Sequence, residues 1–203
     1  MSGGAENEAS GDVASVSGDP KIVALVNCMA SSSESDEVII QGCDFIVRGN
    51  GGSTHPTTAQ TGKGNLIVGW NEGDGVDKTG LNNLVVGSDH TYTSTGGVVF
   101  GEKSTISAAS ATVTGGYQNT ASALCASVSG GYDNTASSID ASVSGGETNT
   151  ASGQTSSVTG GYNNIASGDW ASVSGGRFNE ASGDQASVTG GSSNNATDYE
   201  NLP

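Results

Sequence analysis

A tandem repeat of 15 residues constrains the fold of this chain more than any other feature of its sequence. From residue 111 to residue 200 the sequence divides without a gap into six units of this length. Every unit has Val at its third position, Gly at its fifth and sixth, Asn at its ninth and Ala at its eleventh. So regular a period is typical of a solenoid, in which each unit is one winding stacked against the next.

The repeat unit also predicts the type of winding. It is too short for a helical hairpin, and its Gly, Ser, Thr and Asn residues disfavour helix. It therefore predicts an all-β fold, a parallel β-solenoid or β-roll with coils of 14–15 residues and an irregular N-terminal region. Side chains alternate along the strand Ala-Ser-Val-Ser-Gly, so an inward Val requires outward Ser or Thr. The Asn column is expected to stack into an amide ladder along the axis.

One such coil buries too little hydrocarbon to fold by itself. A buried Val contributes about 1.5–3 kcal/mol, whereas ordering each backbone residue costs about 1–2 kcal/mol. The coils are therefore expected to persist only when they stack against neighbours in their own chain or in another.

Composition excludes several classes of partner. The chain has 6 Lys and Arg against 21 Asp and Glu, so it lacks the basic face that nucleic acids and anionic membranes require. The sequence has no run of about 18 apolar residues, and its start, MSGGAENEASGD, lacks the pattern of a secretory signal. These features predict neither a nucleic-acid partner nor membrane insertion, and they leave the export route open.

The middle of the chain follows the same logic with different outward residues. The segments 65–69, 83–87 and 97–101 each end in Gly and lead into the repeat at 111–115. Alignment on that Gly places Ile67, Val85 and Val99 in the inward column with Val113. The outward positions, here called the early apolar patch, are Leu66, Val68, Leu84, Val86, Val98 and Phe100.

Monomeric soluble proteins generally avoid an exposed apolar patch of this kind, so the early apolar patch predicts a cover. The cover is either an apolar segment of the same chain, such as residues 22–26, 38–40 or 45–47, or another copy of the chain. Both alternatives remain open at this point.

A second assembly element lies near the N-terminus. Residues 3–18 match the repeat from its Gly-Gly to the next Val strand, with Asn7, Ala9 and Val16 in the Asn, Ala and Val columns. Because a solenoid end exposes unpaired backbone groups, this segment is a candidate strand donor to the last coil of another subunit, which would build a head-to-tail fibre. Alternatively, it is the final coil of a preceding array or stacks within its own subunit. Residues 195–203 depart from the repeat as a capping end would, and a cap would compete with such a fibre.

The sequence thus divides into five parts. They are a detached repeat-like segment (1–18), an irregular connector with short strands (19–64), irregular apolar coils (65–110), six regular coils (111–200) and a C-terminal end (201–203).

The S/N-x-V-x-G strands at 14- or 15-residue spacing resemble the head repeats of trimeric autotransporter adhesins over about residues 65–200. The resemblance implies a left-handed parallel β-roll with three chains packed around one axis. It also implies an extracellular, homotrimeric and non-enzymatic surface or fibre protein.

Residues that carry chemistry are few. His55 and His90 have no motif around them and are expected to be satisfied or solvated. Glu72, Asp74 and Asp77 lie on a Gly-rich loop, either as a weak Ca²⁺ site or as a solvated loop. Cys28 and Cys43 are the candidate disulfide pair, which leaves Cys125 over. The sequence therefore predicts no enzymatic activity and no cofactor apart from weakly bound Ca²⁺.

Two features of the regular coils favour an alternative function, a ligand-binding surface. Outward hydroxyls on both sides of each Val form two columns that resemble those of ice-binding solenoids. Tyr117, Tyr132 and Tyr162 follow the Gly-Gly corner, where they either form a strip for stacking surface glycans or shield the corner. The main prediction is a structural or adhesive extracellular fibre or cell-surface protein whose partner is itself, as a trimer or as a head-to-tail fibre.

Overall fold

The computed structural model describes residues 29–31, 38–40, 64–69, 76–198 and 201–202. The chain divides into two compact units, residues 1–46 and 47–203. In the first unit, strands β1 (Met29–Ser31) and β2 (Val38–Ile40) pair antiparallel, with Met29 opposite Ile40. The described residues include no helix, and hence none long and apolar enough to cross a membrane.

The second unit contains two parallel sheets, which confirms the predicted parallel β-solenoid. The first, here the valine sheet, consists of β3 (Leu66–Val68), β4 (Leu84–Ser88), β6 (Val98–Glu102), β8 (Thr112–Val113), β10 (Ser127–Val128), β12 (Ser142–Val143), β14 (Ser157–Val158), β16 (Ser172–Val173), β18 (Ser187–Val188) and β20 (Asn201–Leu202). The second, here the alanine sheet, consists of β5 (Thr91–Tyr92), β7 (Thr105–Ile106), β9 (Thr120–Ala121), β11 (Thr135–Ala136), β13 (Thr150–Ala151), β15 (Ile165–Ala166), β17 (Glu180–Ala181) and β19 (Asn195–Ala196).

The pairing register confirms the alignment on the closing Gly. Ile67 lies opposite Val85, Val85 opposite Val99, and Val99 opposite Val113. From there each Val pairs with the Val 15 residues further on, as Val113 does with Val128. Val85, Val99 and the six Val residues of the regular coils are all buried, while Ile67, on the first strand of the sheet, is 38% exposed.

Four columns fill the interior of the regular coils. They consist of the first residue of each unit, which is Ala or Ser, followed by the Val, the Asn and the second Ala. The second Ala belongs to a strand of its own, because the short Thr-Ala or equivalent pair stacks in register from coil to coil. The sequence pattern did not predict this second sheet.

The buried Asn column bonds mainly to backbone rather than forming a simple amide ladder. The Oδ1 atom of Asn134 accepts the backbone N–H of Asn149 at 2.9 Å. Its Nδ2 atom donates to the carbonyl oxygens of Gly130 at 3.0 Å and Gly146 at 2.9 Å. A direct amide-to-amide bond joins Asn149 to Asn134 at 3.2 Å. In the first five regular coils, the Asn therefore joins the Gly-Gly corner of its own coil to the corner of the next.

A third side follows the Gly-Gly corner, where single residues of successive coils form parallel bridges. This column, here the corner column, comprises Glu102, Tyr117, Tyr132, Glu147, Tyr162, Arg177 and Ser192. The residue after each member has a left-handed backbone, with φ between 52° and 60°. Such a backbone is unusual for residues other than Gly and turns the chain sharply toward the buried Asn.

Coil length changes at this corner. In the 14-residue coils a single Gly lies inside a five-residue strand, as Gly101 does in β6. In the 15-residue coils a second Gly is inserted, and the strand stops after two residues, as in β8. A Cβ atom on the second of the two glycines would collide with the next coil, as Gly146 would with the Gly161 carbonyl oxygen. The double Gly is therefore a bulge that only glycine permits at its second position.

Candidate assembly and binding surfaces

The early apolar patch lies on the outer face of the valine sheet. Leu66, Leu84 and Val98 are paired in one row, and Val68, Val86 and Phe100 in a second. Val68 is 53% exposed and Leu66 is also exposed, whereas the other four are half-buried. The apolar row ends at Thr112, which lies opposite Val98. The structure thus brings the six predicted residues together on one face, and their role in assembly remains a prediction.

The hydroxyl columns of the regular coils continue the same face. Several of these hydroxyls are engaged within the solenoid: Thr114 Oγ1 donates to the Ser129 carbonyl oxygen at 2.9 Å, and Ser172 Oγ donates to Ser187 Oγ at 3.2 Å. The outer face of the valine sheet therefore changes from apolar to hydroxyl-bearing at the first regular coil.

Sequence reasoning missed a threonine column on the outer face of the alanine sheet. Five threonines are stacked in register on consecutive strands: Thr91, Thr105, Thr120, Thr135 and Thr150. The column continues with Ile165, Glu180 and Asn195. The available signal was the recurrence of Thr directly before Ala in the first three regular coils, at Thr120, Thr135 and Thr150.

The predicted alignment of tyrosines is present in the corner column. The Tyr117 and Tyr132 rings are stacked, with centroids 5.5 Å apart and planes 8° apart. Tyr162 instead makes an edge contact with Phe178, at a centroid distance of 5.3 Å and an interplanar angle of 86°. Trp170 is exposed on the turn between the alanine and valine strands. Glycan stacking and shielding of the corner both stay predictions for this column.

Lys103 contacts the first two members of the corner column, Glu102 and Tyr117. Its Nζ atom lies 5.0 Å from the centre of the Tyr117 ring and donates to the Tyr117 hydroxyl at 2.9 Å. The same Nζ is 3.6 Å from Glu102 Oε1. The hydrogen bond to Tyr117, with smaller contributions from Glu102 and Asp89, raises the pKa of Lys103 above its usual value. One ammonium group thus joins a carboxylate and an aromatic ring on neighbouring coils.

The two sheets end differently at the C-terminal end of the solenoid. At the C-terminal end, β20 pairs with β18, with Leu202 opposite Val188. The valine sheet therefore continues one strand beyond the last regular coil. The alanine sheet ends at β19, whose outer edge has no paired strand among the described residues.

His90 is buried and satisfied, as the sequence predicts. Its Nδ1 atom accepts the backbone N–H of Ser104 at 3.2 Å, and its Nε2 atom lies 3.1 Å from the Val86 carbonyl oxygen. These partners assign the neutral tautomer that carries its proton on Nε2. His90 therefore supports the fold and leaves no ring nitrogen for a ligand.

Several predicted site residues remain untested by the fold. Asp77 is exposed, and its Oδ1 atom accepts the Thr79 N–H at 3.0 Å. Within residues 64–69 and 76–198, no group of three or more His, Cys, Asp and Glu side chains is arranged to hold a metal ion. Cys125 is an exposed free thiol. The following predicted residues lie outside the described residues: Asn7, Ala9, Val16, Cys28, Cys43, His55, Glu72 and Asp74.

The chain matches no model of a known protein family, and no curated protein sequence matches it. What the structure shares with the expectation drawn from adhesin head repeats is the parallel β-solenoid itself.

Proposed function

We propose that this protein is a non-enzymatic structural or adhesive subunit of an extracellular fibre or cell surface, and that it assembles with copies of itself. The observation that carries the proposal is the open edge of the alanine sheet at β19. The residues of β19 keep the register of the preceding strands, with Asn195 opposite Glu180 and Ala196 opposite Ala181. An edge in this register accepts another strand of the same repeat.

The donor in this proposal is the N-terminal segment 3–18, because it carries the repeat's Gly-Gly, Asn, Ala and Val positions. Addition of this segment to the last coil of a second molecule is a head-to-tail contact, which does not close and therefore propagates. One feature of the sequence opposes this head-to-tail contact, because a terminal cap on the last coil would exclude the donor. It is the C-terminal end with Tyr199, Leu202 and Pro203.

The early apolar patch is the proposed lateral interface. It concentrates apolar side chains on one face of three adjacent strands, and the face becomes hydroxyl-bearing from Thr112 onward. Lateral packing through this patch gives a closed oligomer, of which the trimer is the form that the adhesin-like repeats favour. Lateral and end-to-end contacts use different surfaces, so they are separable by experiment.

The test combines negative-stain microscopy with analytical ultracentrifugation of the full chain and two variants. Deletion of residues 1–18 is expected to remove filaments while lateral oligomers remain. Leu84→Asp is expected to remove the lateral oligomers, whereas the control Ser142→Asp, at the equivalent half-buried position of a regular coil, leaves them intact. Filaments that persist after the deletion, or oligomers that persist in Leu84→Asp, would contradict the corresponding interface.

A second candidate function is the binding of ordered water or ice on the alanine sheet. The threonine column favours it, because five in-register threonines repeat at the coil spacing, about 4.8 Å. Thermal hysteresis measured on the full chain tests this function. Activity that is lost in Thr135→Lys and retained in Ser144→Lys, on the valine sheet, would support it, and an absence of hysteresis in the parent chain would reject it.

A further inference from the structure

The corner column contains a place that resembles the Lys103 arrangement but has no ammonium group of its own. Glu147 lies between Tyr132 and Tyr162, and it forms a backbone bridge with each of them. The order Glu-Tyr on consecutive coils therefore occurs twice, as Glu102 followed by Tyr117 and as Glu147 followed by Tyr162. In the first case Lys103 supplies the cation, and in the second the equivalent residue is Thr148.

The backbone makes the two places equivalent. Lys103 and Thr148 each follow a glutamate of the corner column, and both have left-handed φ angles, 55° and 54°. Tyr162 occupies, relative to Thr148, the register position that Tyr117 occupies relative to Lys103. Because Thr lacks the four-carbon stem and the amino group of Lys, it cannot place a charge beside the Tyr162 ring.

The aromatic groups at this place are accessible to a ligand. Tyr132 is 48% exposed and Tyr162 is 44% exposed. One face of Tyr132 is covered by the stacked Tyr117 ring from the preceding coil, so its other face is turned toward the coil of Glu147. Two coils separate Tyr132 from Tyr162, a spacing of about 10 Å. A cation on the coil of Glu147, midway between them, lies about 5 Å along the solenoid axis from the coil of each tyrosine. This distance is within the roughly 6 Å range of a cation–π contact.

Charge at this place favours a cation. Glu147 is exposed and has no ion-pair partner among the residues that the structure describes. The nearest basic member of the corner column, Arg177, donates from Nε to Ser192 Oγ at 3.3 Å, on the side away from Glu147. Asp133 follows Tyr132 and adds a second exposed carboxylate. The net charge of the whole chain, −15, attracts cations to its surface as well.

Thr148 itself carries two local costs. It is a β-branched residue in a left-handed backbone conformation, which such residues rarely adopt. Its Oγ1 atom is buried without a hydrogen-bond partner. A residue that breaks local rules in this way is a poor choice for stability alone, and such positions concentrate at functional sites.

We propose that Tyr132, Glu147 and Tyr162 form a surface site for a primary ammonium group. The ammonium takes the place that Lys103 Nζ takes at the first site, with the Glu147 carboxylate as its counter-ion and the tyrosines as its aromatic contacts. The source of the group is either a lysine side chain of another polypeptide or a free alkylamine, since both carry the same chemistry.

The test is an NMR titration of the full-length protein, labelled at tyrosine, with three probes. These are n-butylammonium, the capped tripeptide Gly-Lys-Gly and the neutral capped tripeptide Gly-norleucine-Gly. Both ammonium probes are expected to shift the ring signals of Tyr132 and Tyr162, and the norleucine peptide is not. Tighter binding of the lysine peptide than of butylammonium would assign the source to a polypeptide, and the reverse would assign it to a free amine.

Two substitutions make the result specific. Glu147→Gln is expected to weaken ammonium binding about threefold, as loss of an exposed ion pair does, whereas the control Glu180→Gln, on the alanine sheet, leaves it unchanged. Thr148→Lys is expected to rebuild the Lys103 arrangement, with Nζ over the Tyr162 ring, and to abolish binding of both probes. Equal shifts with the norleucine peptide, no shift with either amine, or full binding in Glu147→Gln would overturn the proposal.

Discussion

The 14-residue coils before Ala111 and the 15-residue coils after it build the same tube from different interiors. The early coils bury Tyr92 and Ile106 in the column where the regular coils bury Ala121 and its successors. In the coil of Ile106 the first-residue column compensates, because Gly97 lies where the first regular coil has Ala111. A Cβ atom on Gly97 would lie 2.9 Å from Ile106 Cδ1. The cross-section of this coil therefore keeps its volume while the residues that supply it change.

The two regions also use different side chains for one hydrogen-bonding role. In the regular coils each Asn accepts the backbone N–H of the next Asn, as Asn119 Oδ1 does from Asn134 at 3.0 Å. Ser104 Oγ accepts the Asn119 N–H at 3.3 Å, and His90 Nδ1 accepts the Ser104 N–H. What the fold requires at this position is an inward acceptor, and Asn adds donors that also tie down the double-Gly corner.

The double-Gly corner gives the largest expected effect. Gly146 has φ 86°, and a Cβ atom there would lie 2.6 Å from Asn149 Nδ2 and closer still to the Gly161 carbonyl oxygen. Gly146→Ala is expected to lower the free energy of unfolding by about 2–6 kcal/mol, from backbone strain and overpacking. Gly145→Ala, with nothing within 4 Å of its added Cβ, is the control. Urea denaturation followed by circular dichroism measures both, and similar midpoints would show that the corner tolerates a second side chain.

Exchange of the buried side chains of the two regions is expected to have the second largest effect on the free energy of unfolding. Ile106→Ala leaves a cavity in an early coil and is expected to cost about 2–5 kcal/mol. The reciprocal change Ala121→Ile overfills a regular coil and is expected to cost about 1–3 kcal/mol. Thermal unfolding monitored by calorimetry compares the two variants with the parent chain. A stabilised Ala121→Ile variant would mean that the regular coils have unused space and that the volume argument is wrong.

Removal of an inward hydrogen-bond acceptor is expected to have a smaller effect on the free energy of unfolding, and the size of the effect is expected to differ between the two regions. Asn149→Ala leaves the buried N–H of Asn164 without its acceptor and is expected to cost about 1–3 kcal/mol. Ser104→Ala removes a longer bond, 3.3 Å to the Asn119 N–H, and is expected to cost about 1 kcal/mol or less. Hydrogen exchange of the Asn164 and Asn119 amides reports each loss locally. A larger loss of protection at Asn119 than at Asn164 would reverse the order of the two regions.

Much of the solenoid was predictable because its signals repeat. The closing Gly aligned Ile67, Val85 and Val99 with Val113, since Gly69, Gly87 and Gly101 all have positive φ at one corner. A two-residue strand such as Thr120–Ala121 is too short to show alternation, so the alanine sheet was missed. The partners of the Asn side chains were also missed, because they are backbone atoms and leave no trace in the sequence.

The candidate surfaces were only partly predictable for a related reason. Outward residues of the valine sheet follow from alternation around a known inward Val, so the early apolar patch was found. The residues of the place between Tyr132 and Tyr162 occupy one position of successive 15-residue units, so the repeat itself aligns them. The sequence did not show that this position pairs from coil to coil, nor that the Lys103 ammonium group contacts the Tyr117 ring.

The smallest expected effect on stability tests why the outer faces of the two regions differ. Val86→Thr converts one position of the early apolar patch to the residue that a regular coil has at Thr114. The change is expected to alter the free energy of unfolding by no more than about 0.5 kcal/mol, because a half-buried Val loses little packing. A Thr hydroxyl in this position also bonds to the next coil, as Thr114 does to Ser129. It is nevertheless expected to weaken lateral association, measured by sedimentation at several concentrations. An unchanged association constant together with a clear loss of stability would mean that the apolar outer residues serve the fold of the early coils rather than contact between molecules.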